Sequence, residues 1–285
     1  IYIYIPGLLW FFVAYIFMKY SNFIKIDKID ILLHISSPIT NMSKVHHLHD
    51  LVKASVVKRP SKTCKSPYVA DVIIYGSNET IMAHAPALGC DGLCNSGGIV
   101  YLSVLPTKKG AVCTHRIQLA ETEDGIIVGI NPKLAEEIVE NAIMKTESTK
   151  EYKREKTILN SRFDFVGISN QKKYFVLEVK TVPLCVEPGV AFFPHGYRKK
   201  NGDPVSPRAI KHLNDLIEIA QNSESDAIMC YVIQRGDAHT FIPSNSDPIY
   251  KDAFYTARAA GVKMMNLFVE WKNTGECFSQ KSTYF

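Results

Sequence analysis

The chain has 285 residues, 46% of them hydrophobic and 21% charged, with a formal net charge of +5. That balance excludes an intrinsically disordered tail and leaves apolar material for one large core or two modest ones. The mild basic excess permits a polyanionic partner without requiring one.

Residues 1–18 read IYIYIPGLLWFFVAYIFM, an uncharged apolar run that just reaches the length of a membrane-spanning helix. A membrane anchor and the apolar core of a signal peptide are two readings, although no basic segment precedes the run. A third, that the segment is not native sequence, fits best. The first residue is Ile, residues 1–41 are dominated by the amino acids that A/T-only codons produce, and Met42 then opens an ordinary soluble start, MSKVHHLHDLVKASVVKRP. Residues 1–41 are therefore set outside the expected fold, and a membrane enters only if residues 1–18 are native.

From about Val52 the chain alternates in short β-rich runs: ASVVKRP, PYVADVIIYG, ETIMAHAP, GGIVYLSVL, AVCTHRIQLAE and GIIVGIN. Gly, Pro, Asn and Ser separate them, which predicts a small barrel or sandwich. Asn131-Pro132 opens a helix with Leu134, Ile138, Val139, Ala142 and Ile143 on one stripe. SRFDFVGI and KYFVLEVKTV then flank a turn at Ser169–Gln171, and GVAFFP leads into the polar loop HGYRKKNGDPV. Ser206-Pro207 starts a helix to about Gln221 with Ile210, Leu213, Ile217 and Ala220 inward. Strand AIMCYVIQR, helix PIYKDAFYTARAAG and strand VKMMNLFVEW follow, so the second half predicts a mixed α/β core. The expected division is 42–130 for the barrel and 131–285 for the α/β domain.

Seven scattered cysteines in a chain with ample apolar residues do not make a disulfide framework. They read as reduced thiols in an intracellular reducing compartment, cytoplasm or nucleus. Cys90, Cys94, Cys113, His84 and His115 could in principle ligate zinc, but their spacing matches no known knuckle and buried thiols are the default. The His46–His49 run, HHLH, reads as a metal chelate or, by default, as a solvated segment.

Chemistry concentrates on two strands. Glu178 and Lys180 share one face of YFVLEVK, while Phe175, Leu177 and Val179 occupy the other. Asp164 sits between Phe163 and Phe165 on the preceding strand. Charged groups on strands this apolar are costly unless paired, hydrated or bound to a metal. An acid on one strand and Glu-x-Lys on the next can aim two carboxylates and an amine at one point. Hard oxygen ligands there suit Mg²⁺ or Mn²⁺, with Asp164 and Glu178 as ligands and Lys180 beside an attacking water or a phosphate. The alternative is an exposed Glu–Lys pair with Asp164 as its cross-strand neighbour.

The ordered set RFDF, LEVK, FFP, PRAIKHL, VIQRGDAHTFIP and DP, from Ser161 to Pro248, resembles the sugar fermentation stimulation protein A family. The likeness extends over roughly 56–268. It implies an oligonucleotide-binding-type (OB-like) barrel followed by a mixed-sheet domain similar to PD-(D/E)XK nucleases, and DNA as a partner bound largely without sequence preference. On that pattern Asp164, Glu178 and Lys180 match the nuclease triad, and Glu140 matches a further carboxylate, although Glu136 shares its helix face one turn earlier. Arg208 and His212 match a family Arg and His; four residues apart, they could contact a phosphate or line a solvated helix edge. Gln234-Arg235 and Lys58-Arg59 match segments for which phosphate contact is one reading. The chain departs from the family at AHAPALG, where Ala87 and Leu88 replace polar residues, and at His195, where an Asp is usual. Its loop to the next helix is longer and carries Arg198, Lys199 and Lys200, which could follow a phosphate backbone or simply be solvated. Two functions are therefore expected to compete: a metal-dependent DNA phosphodiesterase, and a non-catalytic DNA-binding regulator of sugar metabolism on a nuclease scaffold.

Overall fold

A computed structural model describes residues 42–284 apart from Asn78, Gly89, Asp91, Thr107, Lys108, Tyr197, Lys199, Asn201 and Ser223. The N-terminal 41 residues, with the anchor and signal-peptide readings, lie outside the described residues. Among the described residues no helix is long and apolar enough to cross a membrane.

The first half closes into the expected barrel. Strands β2 (Val52–Lys58), β3 (Val69–Ile74), β4 (Thr80–His84), β5 (Ile99–Val104) and β6 (His115–Glu121) run in the order β4-β3-β2-β5-β6. A short parallel pairing, Ala83↔His115 and His84↔Arg116, joins β4 to β6, and β7 (Ile127–Gly129) extends the sheet beyond β6. Alternation fixes which side chains point in. Ala54, Val56, Ala70, Val72, Val100, Leu102, Ile117 and Ala120 fill the interior, and the alanines suit a barrel this narrow.

The second half is a seven-stranded sheet. Its order is β1 (Ser43–His47), β16 (Glu276–Tyr284), β15 (Lys263–Trp271), β13 (Asp226–Ile233), β10 (Tyr174–Val182), β9 (Ser161–Ser169) and β8 (Thr149–Ile158). The three central strands, β10, β13 and β15, run parallel and the flanking pairs are antiparallel. Strand β1 belongs to this sheet, although its residues fall in the 42–130 segment expected to form the barrel. Two strands lack the apolar alternation that reveals the others. β8 reads TKEYKREKTI and is exposed over most of its length, so it is held by its ladder to β9 rather than by burial. β16 reads ECFSQKSTY and lies between β15 and β1.

Both faces of the large sheet are covered. On one, α1 (Pro132–Val139, continued by one π-helical turn over Glu140–Met144) and the outer face of the barrel pack against Phe175, Leu177, Val179, Cys230, Val232 and Leu267. On the other, α2 (Pro207–Asn222) and α3 (Pro248–Ala259) cover Val176, Val182, Met229, Tyr231 and Phe268. A smaller three-stranded sheet, β11 (Cys185–Glu187), β12 (Val190–Phe193) and β14 (Thr240–Pro243), flanks this layer. Asn131 caps α1 as expected, its side chain accepting from Lys133 N at 3.2 Å. The inward stripe of α2 differs from expectation. Leu213 is buried, but Ala209, His212, Asp215, Leu216 and Ile219 are the other buried positions, and Ile210, Ile217 and Ala220 lie at the margin. The helix is rotated so that His212 meets the sheet.

Candidate active site

The site forms where β9 and β10 separate. Their ladder ends at Leu177↔Phe165, one residue short of Asp164. Beyond that point the N–H of Val179 is taken by the side chain of Asp164, which accepts it at Oδ2 over 2.7 Å. Strand β9 changes face there: Phe163 and Phe165, two positions apart, enter the cores on opposite sides of the sheet. The neighbouring β8 is irregular at the same level, its ladder skipping Glu155, which has a φ of 52°. This splayed edge lets Asp164 approach the strand that carries Glu178 and Lys180.

Glu178 is only 3% exposed. Its Oε1 lies against both Lys180 Nζ, two residues along the strand, and His212 Nδ1 from α2, whereas its Oε2 is buried without a hydrogen-bond partner among the described residues. Arg208 continues the chain outward, its Nε 3.5 Å from His212 Nε2. Burial raises the Glu178 carboxyl, but Lys180 and His212 outweigh it and hold the group below the ordinary carboxylate range. Asp164 goes the other way. Burial, and after it the charge of Glu178, push its carboxyl up to about 7 despite the Val179 N–H and Lys180. The two carboxyls are thus neighbours pushed in opposite directions, Glu178 toward the ionised form and Asp164 toward the protonated one.

The remaining expected site residues differ in their exposure and partners. Lys58, Lys200 and Arg208 are exposed, and Arg198 is half-buried with NH2 on the Ser246 carbonyl. Lys199 lies outside the described residues. Arg59 is partly buried and committed to backbone carbonyls, with Nε 2.8 Å from Pro67 O.

The others are corrected. His212 is 3% exposed, so it is a partner of Glu178 and not a phosphate contact. Gln234 is fully buried, its Oε1 accepting from Trp271 Nε1 at 3.2 Å and its Nε2 donating to Thr181, so it ties the end of β13 to its neighbours. Arg235 is closed in a fork with Asp237, at 2.7 Å for both bonds, and bonds Pro183 O. Glu140 is held by Tyr152 Oη at 3.0 Å and Arg154 at 2.8 Å. Arg154 also binds Glu136 at 2.9 Å, and it is Glu136 whose charge reaches Asp164. Sequence reasoning missed that residue as a site neighbour, although its place one turn before Glu140 on the same helix face was visible. Among the described residues no group of three or more His, Cys, Asp or Glu is arranged to hold a metal, and Cys90 and Cys94 are buried thiols of the barrel core.

Comparison with known proteins agrees with this architecture. Residues 129–275 match the family model described as SfsA: Sugar fermentation stimulation protein RE domain. A sugar fermentation stimulation protein homolog of Synechocystis sp. is 32% identical over 228 residues, covering 75% of this chain and 87% of that protein. One from Synechococcus sp. is 34% identical over 217 residues, covering 73% and 84%. The structure of Pyrococcus furiosus SfsA in complex with Ca²⁺ superposes with a TM-score of 0.70 at 21% identity, covering 84% of this chain and 97% of that one. On the strength of that similarity over most of its length, the chain belongs to the sugar fermentation stimulation protein family.

Proposed function

We propose that this protein binds DNA largely without sequence preference and hydrolyses its phosphodiester backbone with a divalent cation, Mg²⁺ or Mn²⁺. The observation that carries the reading is the largely buried pair Asp164–Glu178 with Lys180 beside it. The donor set fits a hard cation. Glu178 Oε2 is an orphaned buried acceptor, and Asp164, raised by burial and after it by the charge of Glu178, is a carboxyl that a bound cation would return to its ionised form. Asp164 and Glu178 would hold the metal, with water completing its shell. When bound it supplies Lewis-acid polarisation and an acidified water.

The chain's own residues do the rest. The Val179 N–H fixes Asp164 Oδ2, and His212 braces Glu178 from α2. Lys180 brings an ammonium to the point where a phosphate gains charge. Away from these carboxylates, exposed Lys58 and Lys200 offer phosphate contacts, and exposed Tyr68 and Tyr75 on the barrel offer stacking faces. The Ca²⁺ in the Pyrococcus furiosus structure supports divalent-metal binding in this fold.

A second reading, a DNA-binding regulator without hydrolysis, is favoured by one feature: Lys180 and His212 already satisfy Glu178 Oε1. Calorimetric titration of the full chain with Mn²⁺, beside gel retardation of DNA, tests the metal-dependent reading. A saturable metal site lost in Asp164→Asn and Glu178→Gln is expected. Retarded DNA with no metal uptake would leave the regulator.

A further inference from the structure

A second reactive cluster lies in the barrel, built from residues that the carboxylate site does not use. The connection between β4 and β5 turns Cys90 and Cys94 into the barrel core, where they are 2% and 0% exposed. Their sulfurs are 3.8 Å apart. Arg59, just past the end of β2, reaches over them: NH2 donates to Ala87 O at 2.5 Å and NH1 lies 3.7 Å from Cys90 Sγ. Carbonyl oxygens satisfy the guanidinium's hydrogen bonds but carry no net charge. Among the described residues Arg59 makes no ion pair with a carboxylate, and its guanidinium lies against the Cys90 sulfur.

The two thiols are correspondingly unlike. The Cys94 thiol, and then Arg59, draw the Cys90 thiol below the ordinary thiol value against the opposing effect of burial. Cys94, beside it, is held well above the ordinary thiol value. Cys113, Cys185, Cys230 and Cys277 are all pushed upward by burial. While protonated, Cys90 donates to Ala87 O at 3.4 Å. Ionised, it faces one guanidinium and one thiol, the pairing of an attacking sulfur with a resolving one.

We propose that Cys90 and Cys94 are a reversible oxidation site that hydrogen peroxide, a small uncharged reactant, closes to a disulfide. The Cys90 thiolate attacks one peroxide oxygen. The O–O bond breaks, Cys90 becomes a sulfenic acid, and the departing hydroxide takes a proton to leave as water. The Cys94 sulfur then attacks Cys90 Sγ, the S–O bond breaks, and the Cys94 proton leaves with the second water. Two thiols are oxidised by two electrons and one peroxide is reduced to two waters. A small-molecule dithiol restores the pair by exchange and is itself oxidised to a disulfide.

The test treats the full chain with stoichiometric hydrogen peroxide, blocks the remaining thiols by alkylation, and maps peptides by mass spectrometry. The expected product is a Cys90–Cys94 link lacking the mass of two hydrogens and reversed by dithiothreitol. Cys94→Ser should stop at a Cys90 sulfenic acid that dimedone traps. Arg59→Met should slow oxidation at pH 7 by at least about tenfold, from the smaller thiolate fraction, while Arg59→Lys keeps most of the rate. Should Arg59→Met not fold, the pH profile of Cys90 alkylation in the wild-type chain decides, with a midpoint below the ordinary thiol value of about 8.5 expected. Oxidation confined to Cys64 or Cys185, or a Cys90 midpoint at or above about 8.5, overturns the proposal.

Discussion

The carboxylate of Asp164 accepts the backbone N–H of Val179 at 2.7 Å, and Val179 stands between Glu178 and Lys180 on the next strand. One hydrogen bond therefore both replaces a missing rung of the β9–β10 ladder and sets the spacing of the three charged groups. The same proximity costs stability, because a second carboxylate is buried alongside.

The cost has a pH signature. Asp164 is raised to about 7 in the folded protein, whereas in the unfolded chain it titrates near about 3.9. Between those values the native state holds a proton that the unfolded state has lost, so stability falls as pH rises from about 4 to about 7 and then levels. Allowing for partial solvent access, the loss is on the order of 1–3 kcal/mol. Urea denaturation across this range should show the decline in wild type and little of it in Asp164→Asn, and saturating Mn²⁺ should offset it. A stability that rises through the same window would contradict the assignment.

His212 is expected to act on stability and on metal uptake together. Removing it leaves Glu178 buried with Lys180 as its one charged partner, a change that costs about 2–4 kcal/mol. His212→Ala should lower the denaturation midpoint and weaken Mn²⁺ binding in calorimetry. His212→Gln, which can still donate, should recover part of both. A fully stable His212→Ala protein would mean that the contact contributes little.

Close packing around Gln234 gives a prediction independent of the active site. A Cβ on Gly129 would lie 2.2 Å from Gln234 Oε1 and 2.5 Å from Trp271 Nε1. Gly129→Ala should therefore destabilise by about 1–3 kcal/mol through overpacking. Calorimetric melting checks this, and an unchanged Tm would show that the neighbours yield freely.

Exposure also sorts the expected DNA contacts. Lys58→Ala and Lys200→Ala should each weaken DNA retention and reduce the salt dependence by about one counterion. Arg235→Ala, which opens an internal fork with Asp237, should alter stability and leave the salt slope unchanged. Fluorescence anisotropy at several salt concentrations separates the two classes. Equal slopes for all three variants would remove these lysines as phosphate contacts.

What was legible in the sequence follows from what each element is made of. Barrel strands and the parallel core were readable because burial on one face or both leaves alternating or continuous apolar runs, as in VADVII and YFVLEVK. Asn131-Pro132 and Ser206-Pro207 marked two helix starts by local chemistry. Strand β8 was invisible because its charged side chains face solvent and its stability comes from backbone pairing. The pairing of β1 with β16 joins residues more than 200 positions apart in the sequence, beyond the reach of any local pattern. At the site, Glu178 and Lys180 were legible from strand alternation and Asp164 from its apolar neighbours. His212, Gln234 and Arg235 look like surface contacts in the sequence because a polar residue in a helix or at a strand end gives no sign of the carboxylate, indole or turn that will bury it.

The central claim is tested most directly by incubating labelled single- and double-stranded DNA with the full chain in Mg²⁺, Mn²⁺ or EDTA, beside Asp164→Ala and Lys180→Ala. Cleavage that requires the metal and is lost in both folded variants is the result expected of the Asp164–Glu178–Lys180 site. DNA that stays intact in every metal while being retarded equally by all three proteins would contradict it, and would leave a binding protein on this fold.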